Sequence, residues 1–309
     1  MQLGVQSLDD EILARNRRGH TVADTRRAIR LLRLAGFKIV AHWMPNLLGA
    51  TPEGDLADFH RLWDDPALRP DELKIYPTTL LVNTALYTHW QRGEYYPYDE
   101  ETLVHLLAQC KVAIPPYCRL NRLMRDIPAP NVVDGVTKSN LRQIVKRFMA
   151  QRDMHCRCIR CREVQGKAVA PEDLRLERLV YETDVTREYF LSYVVAPDAE
   201  NAGRLAGFLR LSLPKVPPLI DELQDCAMIR EVHVYGPALG LGSRREGSAQ
   251  HVGLGTRLIA EASRIARQEG WRRIAVIAAI GTRPYYRRRG FRLDRLYMIA
   301  DTEVELPPD

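Results

Sequence analysis

The sequence predicts an α/β protein of two unlike halves, and three observations carry the prediction. In the first half, short apolar runs alternate with amphipathic helical stretches, the pattern of parallel βα units. In the second half, strand-like segments follow one another with only turn residues between them, and a helix and a further strand come after, which reads as a mixed sheet. Between the halves lies "DMHCRCIRCREV", residues 153–164, which places three of the chain's six cysteines within six positions. At 309 residues the chain is long for one core, so two domains and a connector are expected, at 1–137, 138–170 and 171–309.

The elements follow in order. "TVADTRRAIRLLRLAGF" sets Ala28, Ile29, Leu31, Leu32 and Ala35 at helical spacing, with Gly36 as the stop. "KIVAHWMP" is a strand ending at Pro45. "DLADFHRLWDDPAL" puts Leu56, Phe59, Leu62 and Trp63 on one helical side, and "ELKIYPTTL" is a second short strand. The helix "DEETLVHLLAQCKVAI" begins after the capping residue Asp99 and stops at Pro115 and Pro116. These are too few units for a complete eight-fold barrel. Pro128 and Pro130 mark turns, and "TKSNLRQIVKRFMAQRDM" is a basic amphipathic helix leading into the cysteines. After Gly166, "LERLVYET", "EYFLSYVVA", "RLAGFLRLSLP" and "AMIREVHVYGP" read as successive strands. "GSRREGSA" is a polar loop, "TRLIAEASRIARQEG" a helix and "RRIAVIAA" the strand after it.

Composition narrows the function classes. An apolar fraction of 46% with mixed charges is that of a globular chain, not a disordered one. No window approaches the roughly 18 uninterrupted apolar residues of a membrane span. "MQLGVQSLDDEI" has no basic-then-apolar leader pattern. Clustered cysteines suit a metal site in a reducing compartment better than a secreted disulfide framework, so a cytoplasmic location is expected. The net charge of +6 is unevenly placed: between Arg119 and Arg162 the acids are only Asp126, Asp134 and Asp153. Such a stretch either tracks a phosphate backbone through ion pairing and counterion release or forms a solvated basic face.

The sharpest chemical signal is "QHVGLGTRLIAEA", in which Gln250, Gly253 and Gly255 fit Q/R-x-x-G-x-G/A at the start of a helix. Glycines let the backbone approach an anion, and a helix N-terminus points free N–H groups at it. Upstream, alternation along "IREVHVYG" puts Glu231, His233 and Tyr235 on one strand face. Downstream, "PYYRRRGF" supplies Tyr-x-x-x-Gly-Phe from Tyr286 to Gly290 and Phe291, with Tyr285 beside it. This order of strand, glycine loop, helix, strand and tyrosine motif resembles the GNAT-type acetyltransferases. The resemblance implies acetyl-CoA, its pyrophosphate on Gly253, Leu254, Gly255 and Thr256. His233, Val234, Tyr235, Gln250, His251, Val252 and Tyr286 would complete the pocket. It also implies Tyr286 as the acid for the departing thiolate, with Tyr285 as its companion. Glu231 and His233 are the candidate bases; each is as readily a hydrogen-bonded strand residue.

With the cysteines and this domain in place, "GVQSLDDEILARNRRGHTV", "LKIYPT", "GEYYPYDEE", "RLMRDIPAPNVVDGVTKSNLR", "CRCIRCRE", "REVHVYG" and "PYYRRRGF" together resemble the catalytic subunit of Elongator over almost the full length. Members join a radical-SAM domain to a GNAT-type domain and carboxymethylate the wobble uridine of tRNA, using acetyl-CoA for the two-carbon unit. On that resemblance the fold is a partial radical-SAM-type βα barrel, a zinc-binding linker and a GNAT-type α/β domain. The partner is the tRNA anticodon region, met by Arg119, Arg122, Arg125, Lys138, Arg142, Lys146, Arg147 and Arg152. The chain departs from the pattern in one respect. Before the knot its only cysteines are Cys110 and Cys118, so no intact iron–sulfur cluster or SAM site is expected, and no radical step by this chain alone.

Cys-x-Cys-x-x-Cys is not the radical-SAM spacing, and a redox Cys-x-x-Cys would sit in a thioredoxin-like setting, absent here. Three thiolates so close are costly without a cation, whereas zinc binds them tightly. The resemblance likewise points to structural zinc on Cys156, Cys158 and Cys161. His155 would need an awkward chelate as fourth ligand, which leaves Cys110, Cys118 or a neighbouring group. Two rival readings stand beside the tRNA-dependent enzyme: a lysine acetyltransferase with a working base such as Glu231, and a tRNA-binding module without turnover.

Overall fold

A computed structural model of the chain describes residues 1–125, 132–135, 140–165, 169–235 and 253–303. It divides into two compact units, Met1–Ile29 with Ile39–Cys161, and Arg30–Lys38 with Arg162–Asp309. One boundary of this division falls after Cys161, inside the stretch 138–170.

The first unit is built on a parallel four-stranded sheet of β1 (Gln2–Gln6), β2 (Val40–Trp43), β3 (Glu72–Ile75) and β5 (Arg119–Arg122), in that order. Strand β1 was hidden in the sequence because "QLGVQ" offers only Leu3 and Val5 as apolar residues. Strand β5, "RLNR", reads as a basic segment, yet Leu120 is fully buried in it. Helix α1 (Asp10–Arg15) starts at Asp9, whose side chain accepts from the N–H groups of Glu11 and Ile12. Helix α2 (Val22–Leu34) ends as Gly36 predicts: the N–H groups of Gly36 and Phe37 return to Arg33 O and Leu32 O at 2.9 Å.

Helix α3 (Pro52–Asp64) begins three residues before the expected start, on the cap Thr51, and buries Phe59, Leu62 and Trp63. Helix α5 (Glu100–Ala113) has the predicted cap, with Asp99 accepting from Thr102 N–H at 2.7 Å. Between them, α4 (Ala85–Gln91) and an antiparallel pair, β4 (Leu80–Leu81) with β6 (Val132–Asp134), were not foreseen. Helix α6 (Leu141–Ala150) buries Leu141, Val145 and Met149 and is shorter than the expected 137–154. At the C-terminal ends of the parallel strands, Asp55 is buried and accepts from Asn46 N–H at 2.7 Å and Tyr98 Oη at 2.9 Å. Burial pushes its carboxyl up to about 7 despite those two bonds.

The second unit is a seven-stranded sheet in the order β12-β13-β11-β10-β9-β8-β7. Its strands are β7 (Leu174–Glu182), β8 (Thr186–Val195), β9 (Leu205–Pro214), β10 (Cys226–Val234), β11 (Arg273–Val276), β12 (Arg292–Asp294) and β13 (Tyr297–Asp301). Only β10 and β11 run parallel, connected through helix α8 (Leu254–Gln268). Leu254, Leu258, Ile259, Ala262 and Ile265 of α8 pack on Leu191, Leu209, Leu211, Ile229 and Ile274 of the sheet.

The other sheet face holds a buried ionic group. Glu188 meets Arg230 Nη2 at 2.7 Å and Arg33 Nη1 at 3.7 Å, and accepts from Ser212 Oγ and Thr186 Oγ1. Arg33 belongs to Arg30–Lys38, the stretch of α2 and its exit that is part of this unit. Tyr297 Oη donates to Ala35 O at 2.9 Å, Arg230 Nη1 donates to Phe37 O at 3.3 Å, and Met228 lies against Gly36.

Candidate functional site

Helix α8 opens on Gly253, whose φ of +88° is a left-handed conformation that an L side chain rarely adopts. Gly253, the N-cap residue, has no side chain and makes no capping bond to the first turn of α8. Gly255, the second residue of α8, is small for a steric reason: a Cβ there would lie 2.6 Å from Tyr285 Oη. The same Cβ would be 3.8 Å from Val234 Cγ2. Thus the helix start, the end of β10 and Tyr285 meet at one place.

The fixture holding them is Arg289, which sequence reasoning missed because it closes an apparently solvated Arg-Arg-Arg run. Only 5% exposed, Arg289 donates through Nε to Thr256 Oγ1 at 2.8 Å and through Nη1 to Tyr285 O at 2.9 Å. Its Cζ sits 3.6 Å from the Tyr285 ring centroid, a cation–π contact. The four-residue step from Tyr285 to Arg289 across helix α9 (Arg283–Arg287) was the available signal.

The two tyrosines have separate environments. Tyr285 is half-buried beside the glycine, whereas Tyr286 is buried edge-on to Phe291, with ring centroids 5.5 Å apart. Burial pushes the Tyr286 phenol up to about 12; Tyr285 adds to this and Arg289 opposes it. It is protonated at neutral pH.

A register shift between Ile229 and Glu231 bulges β10 at Arg230. Beyond it, Glu231 pairs with Arg210 and His233 with Phe208. Burial alone would raise the Glu231 carboxyl, but Arg210 and Lys38, each bonded at 2.9 Å, more than offset it and hold the pKa below the usual range. Glu231 is a locked anion and a weak base. His233 is exposed, stacked on Phe208 at 5.8 Å and close to Tyr235 at 4.4 Å. Gln250, His251 and Val252 lie outside the described residues.

The sulfur atoms of Cys156, Cys158 and Cys161 lie within 4.8 Å of one another, and among the described residues this is the group of metal-ligating side chains close enough to share an ion. Turn α7 (Ile159–Arg162) carries Cys161, and Ile159 N–H donates to Cys118 O at 3.0 Å. Hydrogen bonds from Cys156 and Cys161, then from backbone N–H groups, lower the Cys158 thiol; the resulting anion keeps the Cys156 thiol protonated. Three thiolates cannot coexist here without a cation, and an all-sulfur donor set at this spacing fits zinc. Cys110, Cys118 and His155 are not in the group. Cys110 is fully buried, its thiol raised by burial and by Asp55.

Of the basic residues, Arg122, Arg125, Lys146, Arg147 and Arg152 are exposed and Arg119 is half-buried. Arg152 lies over the Phe148 ring at 3.8 Å. Arg142, a further candidate contact, has more partners than these. It is half-buried beside the cysteines and donates through Nη2 to Leu120 O at 3.2 Å and Asn121 O at 3.3 Å. Burial and neighbouring Arg160 pull its pKa down, with the three cysteines opposing. Lys138 lies outside the described residues.

A parallel βα sheet, a three-thiol knot and a mixed sheet with a glycine-opened helix define a protein with one radical-SAM-type part and one GNAT-type acetyltransferase part. The Radical_SAM C-terminal domain family matches residues 70–151. A "tRNA uridine(34) acetyltransferase" of Dehalococcoides mccartyi (strain CBDB1) is 42% identical over 305 residues, 96% of this chain and 65% of the relative. "Elongator complex protein 3" of Dictyostelium discoideum is 39% identical, covering 96% of this chain and 54% of that protein. The solved structure of the archaeal Methanocaldococcus infernus Elp3 with an N-terminal deletion (1-46) matches with a TM-score of 0.87 at 39% identity, over 97% of this chain and 71% of that one. The chain belongs to the Elp3 family. It spans between 54% and 65% of the length of those two curated relatives. Among the described residues no helix is long and apolar enough to cross a membrane.

Proposed function

We propose that this chain binds acetyl-CoA at the start of α8 and cleaves its thioester in the service of wobble-uridine modification in tRNA. The observation that carries the reading is the convergence of Gly255, Val234 and Tyr285 on the first turn of α8, fixed by Arg289. The N–H groups at a helix N-terminus suit an anion such as a pyrophosphate. As water adds to the acetyl carbon and the carbon–sulfur bond breaks, Tyr286, held protonated by burial, gives its phenolic proton to the sulfur; CoA and acetate leave, and the proton from the water restores the phenol. The relatives' names supply the tRNA substrate, and the exposed Lys146 and Arg147 on α6 supply charge for its backbone.

A lysine acetyltransferase fits less well. It requires a base to deprotonate the ammonium, and Glu231 is occupied by Lys38 and Arg210. Zinc would be held by Cys156, Cys158 and Cys161, where it would neutralise the thiolates and brace turn α7. The six cysteines, all within the described residues, present that single three-thiol group.

The test is the release of free CoA from acetyl-CoA with and without tRNA, at low and moderate salt. Stimulation by tRNA that fades with salt supports the reading. Equal rates with and without tRNA, accompanied by acetylated lysines in a protein acceptor, would replace it.

A further inference from the structure

Among the described residues the seven-stranded sheet ends at β7, which pairs with β8 and is last in the strand order. Edge strands are commonly blunted by a bulge, a proline or shortness. Strand β7 instead has nine residues in unbroken register with β8 and contains no proline. Two backbone bonds show which residues face outward. Thr183 N–H donates to Thr186 O, and Ala196 N–H donates to Asp173 O, both at 2.8 Å. Residues 173 and 183 therefore bond toward β8, and so, by alternation, do the odd-numbered residues between them. By the same alternation the N–H and C=O groups of Leu176, Arg178 and Val180 point away from the sheet, whereas at the start of the strand Leu174 N–H donates to Pro171 O and Leu174 O accepts from Arg175 Nη1.

The same strand displays two large exposed apolar side chains, Leu176 at 37% and Val180 at 50%. Both lie on the face that carries α8, because Arg178 between them is paired with Glu261 of that helix. Arg178 is also the midpoint of the strand. A second copy laid antiparallel about a twofold axis through Arg178 puts every outward residue opposite another. Leu176 meets Val180 on either side of the axis, and Arg178 meets its own copy. Such pairs exchange two bonds each, about six in all. Leu176 and Val180 cover each other twice, once on either side of the axis. The two Arg178 side chains arrive with their Glu261 partners, themselves held by Arg264 at 2.7 Å, so cation and anion alternate at the axis. One slip of two residues sets Leu176 opposite Arg178, and the other sets it opposite Glu182. The apolar pair thus matches a mirror image of itself and selects one register.

We infer that β7 is a homodimerisation edge, through which two copies of this chain pair antiparallel about Arg178 and continue the sheet across a twofold axis. The test is sedimentation of the full chain over a range of concentrations, alongside Val180→Lys and Val180→Pro. The first puts a hydrated charge where Leu176 of the other copy packs. The second removes one outward N–H and leaves the ladder to β8 intact. Each should weaken dimerisation roughly tenfold or more, with melting temperature confirming the fold. Register is read by mild oxidation of cysteine variants, with the wild type as the blank for native thiols. An equimolar mixture of Leu176→Cys and Val180→Cys chains should crosslink, since directly opposed hydrogen-bonded residues stand about 5.5 Å apart at Cα, within disulfide reach. Val180→Cys alone should not. A wild type that stays monomeric at every concentration, a dimer indifferent to both Val180 variants, or self-crosslinking of Val180→Cys would each overturn the inference.

Discussion

Replacing Gly255 by alanine separates binding from stability. The added Cβ would stand 2.6 Å from Tyr285 Oη, well inside contact distance, while its next neighbours, Tyr285 Cζ and Val234 Cγ2, lie at 3.7 and 3.8 Å, ordinary contacts. Gly255 is not among the glycines with positive φ, so alanine fits the helix and gains roughly 1 kcal/mol in helix propensity. The whole penalty falls on one hydroxyl. Its ring is held by the Arg289 guanidinium, 3.6 Å from the centroid, and packs edge-on to Tyr286. Displacing the ring forfeits a cation–π contact of about 1–2 kcal/mol within the folded chain, which offsets the helix gain, and moves the tyrosine that lines the start of α8. Calorimetric titration should therefore show acetyl-CoA binding by Gly255→Ala weakened about tenfold, with the melting temperature within about 5 °C of wild type. Adding Tyr285→Phe removes the clashing oxygen and should restore most of the affinity. Unchanged affinity in the single variant, or no recovery in the double variant, would refute the steric argument.

Tyr286→Phe should slow thioester cleavage about 100-fold, as loss of a general acid does, while acetyl-CoA affinity stays within about twofold; stopped-flow CoA release and titration read the two separately. Cys158→Ser should lower bound zinc and the melting temperature together, the latter by about 5–10 °C, measured by elemental analysis and calorimetry on the same sample. Asp55, with a carboxyl near 7 when folded and near 3.9 when unfolded, contributes stability that is full below about pH 4 and lost as pH rises to 7. The loss is about 4 kcal/mol by linkage. His42, lowered by burial and then by Lys74, works in the opposite sense, losing stability as pH falls through its own range. The comparison of Asp55→Asn with wild type at pH 5 and pH 8 isolates the aspartate: the variant should lose the pH-dependent decline it causes.

What could be read from the sequence was whatever depends on near neighbours. Asp99 as a cap and Gly36 as a stop follow from bonds reaching three or four residues, and both are found. Gly253 and Gly255 were legible because backbone conformation and close approach leave glycine as the residue of choice. Strands β1, β5, β12 and β13 were not. They have three to five residues each, and β5 and β12 carry charge that masks a short buried stretch. The status of Glu231 was out of reach for another reason: its partners lie 21 and 193 positions away. Arg289 illustrates the converse, since a basic run reads as solvated until one member is seen closed in by a tyrosine ring and a threonine hydroxyl.

The ownership of Arg30–Lys38 by the second unit has a practical consequence. A fragment cut at the apparent sequence border near residue 171 would keep every strand of the large sheet but discard Arg33, Ala35, Phe37 and Lys38. Glu188 would lose one of its two arginines, Tyr297 Oη and Arg230 Nη1 their carbonyl acceptors, and Glu231 one of its cations. Met228 would be bared where Gly36 now covers it. During synthesis the same dependence imposes an order: this segment emerges first and must wait for more than a hundred residues before the sheet that completes it exists. The second unit is thus interleaved in the gene with the first, and neither a protease nor an engineer can separate the two with a single cut.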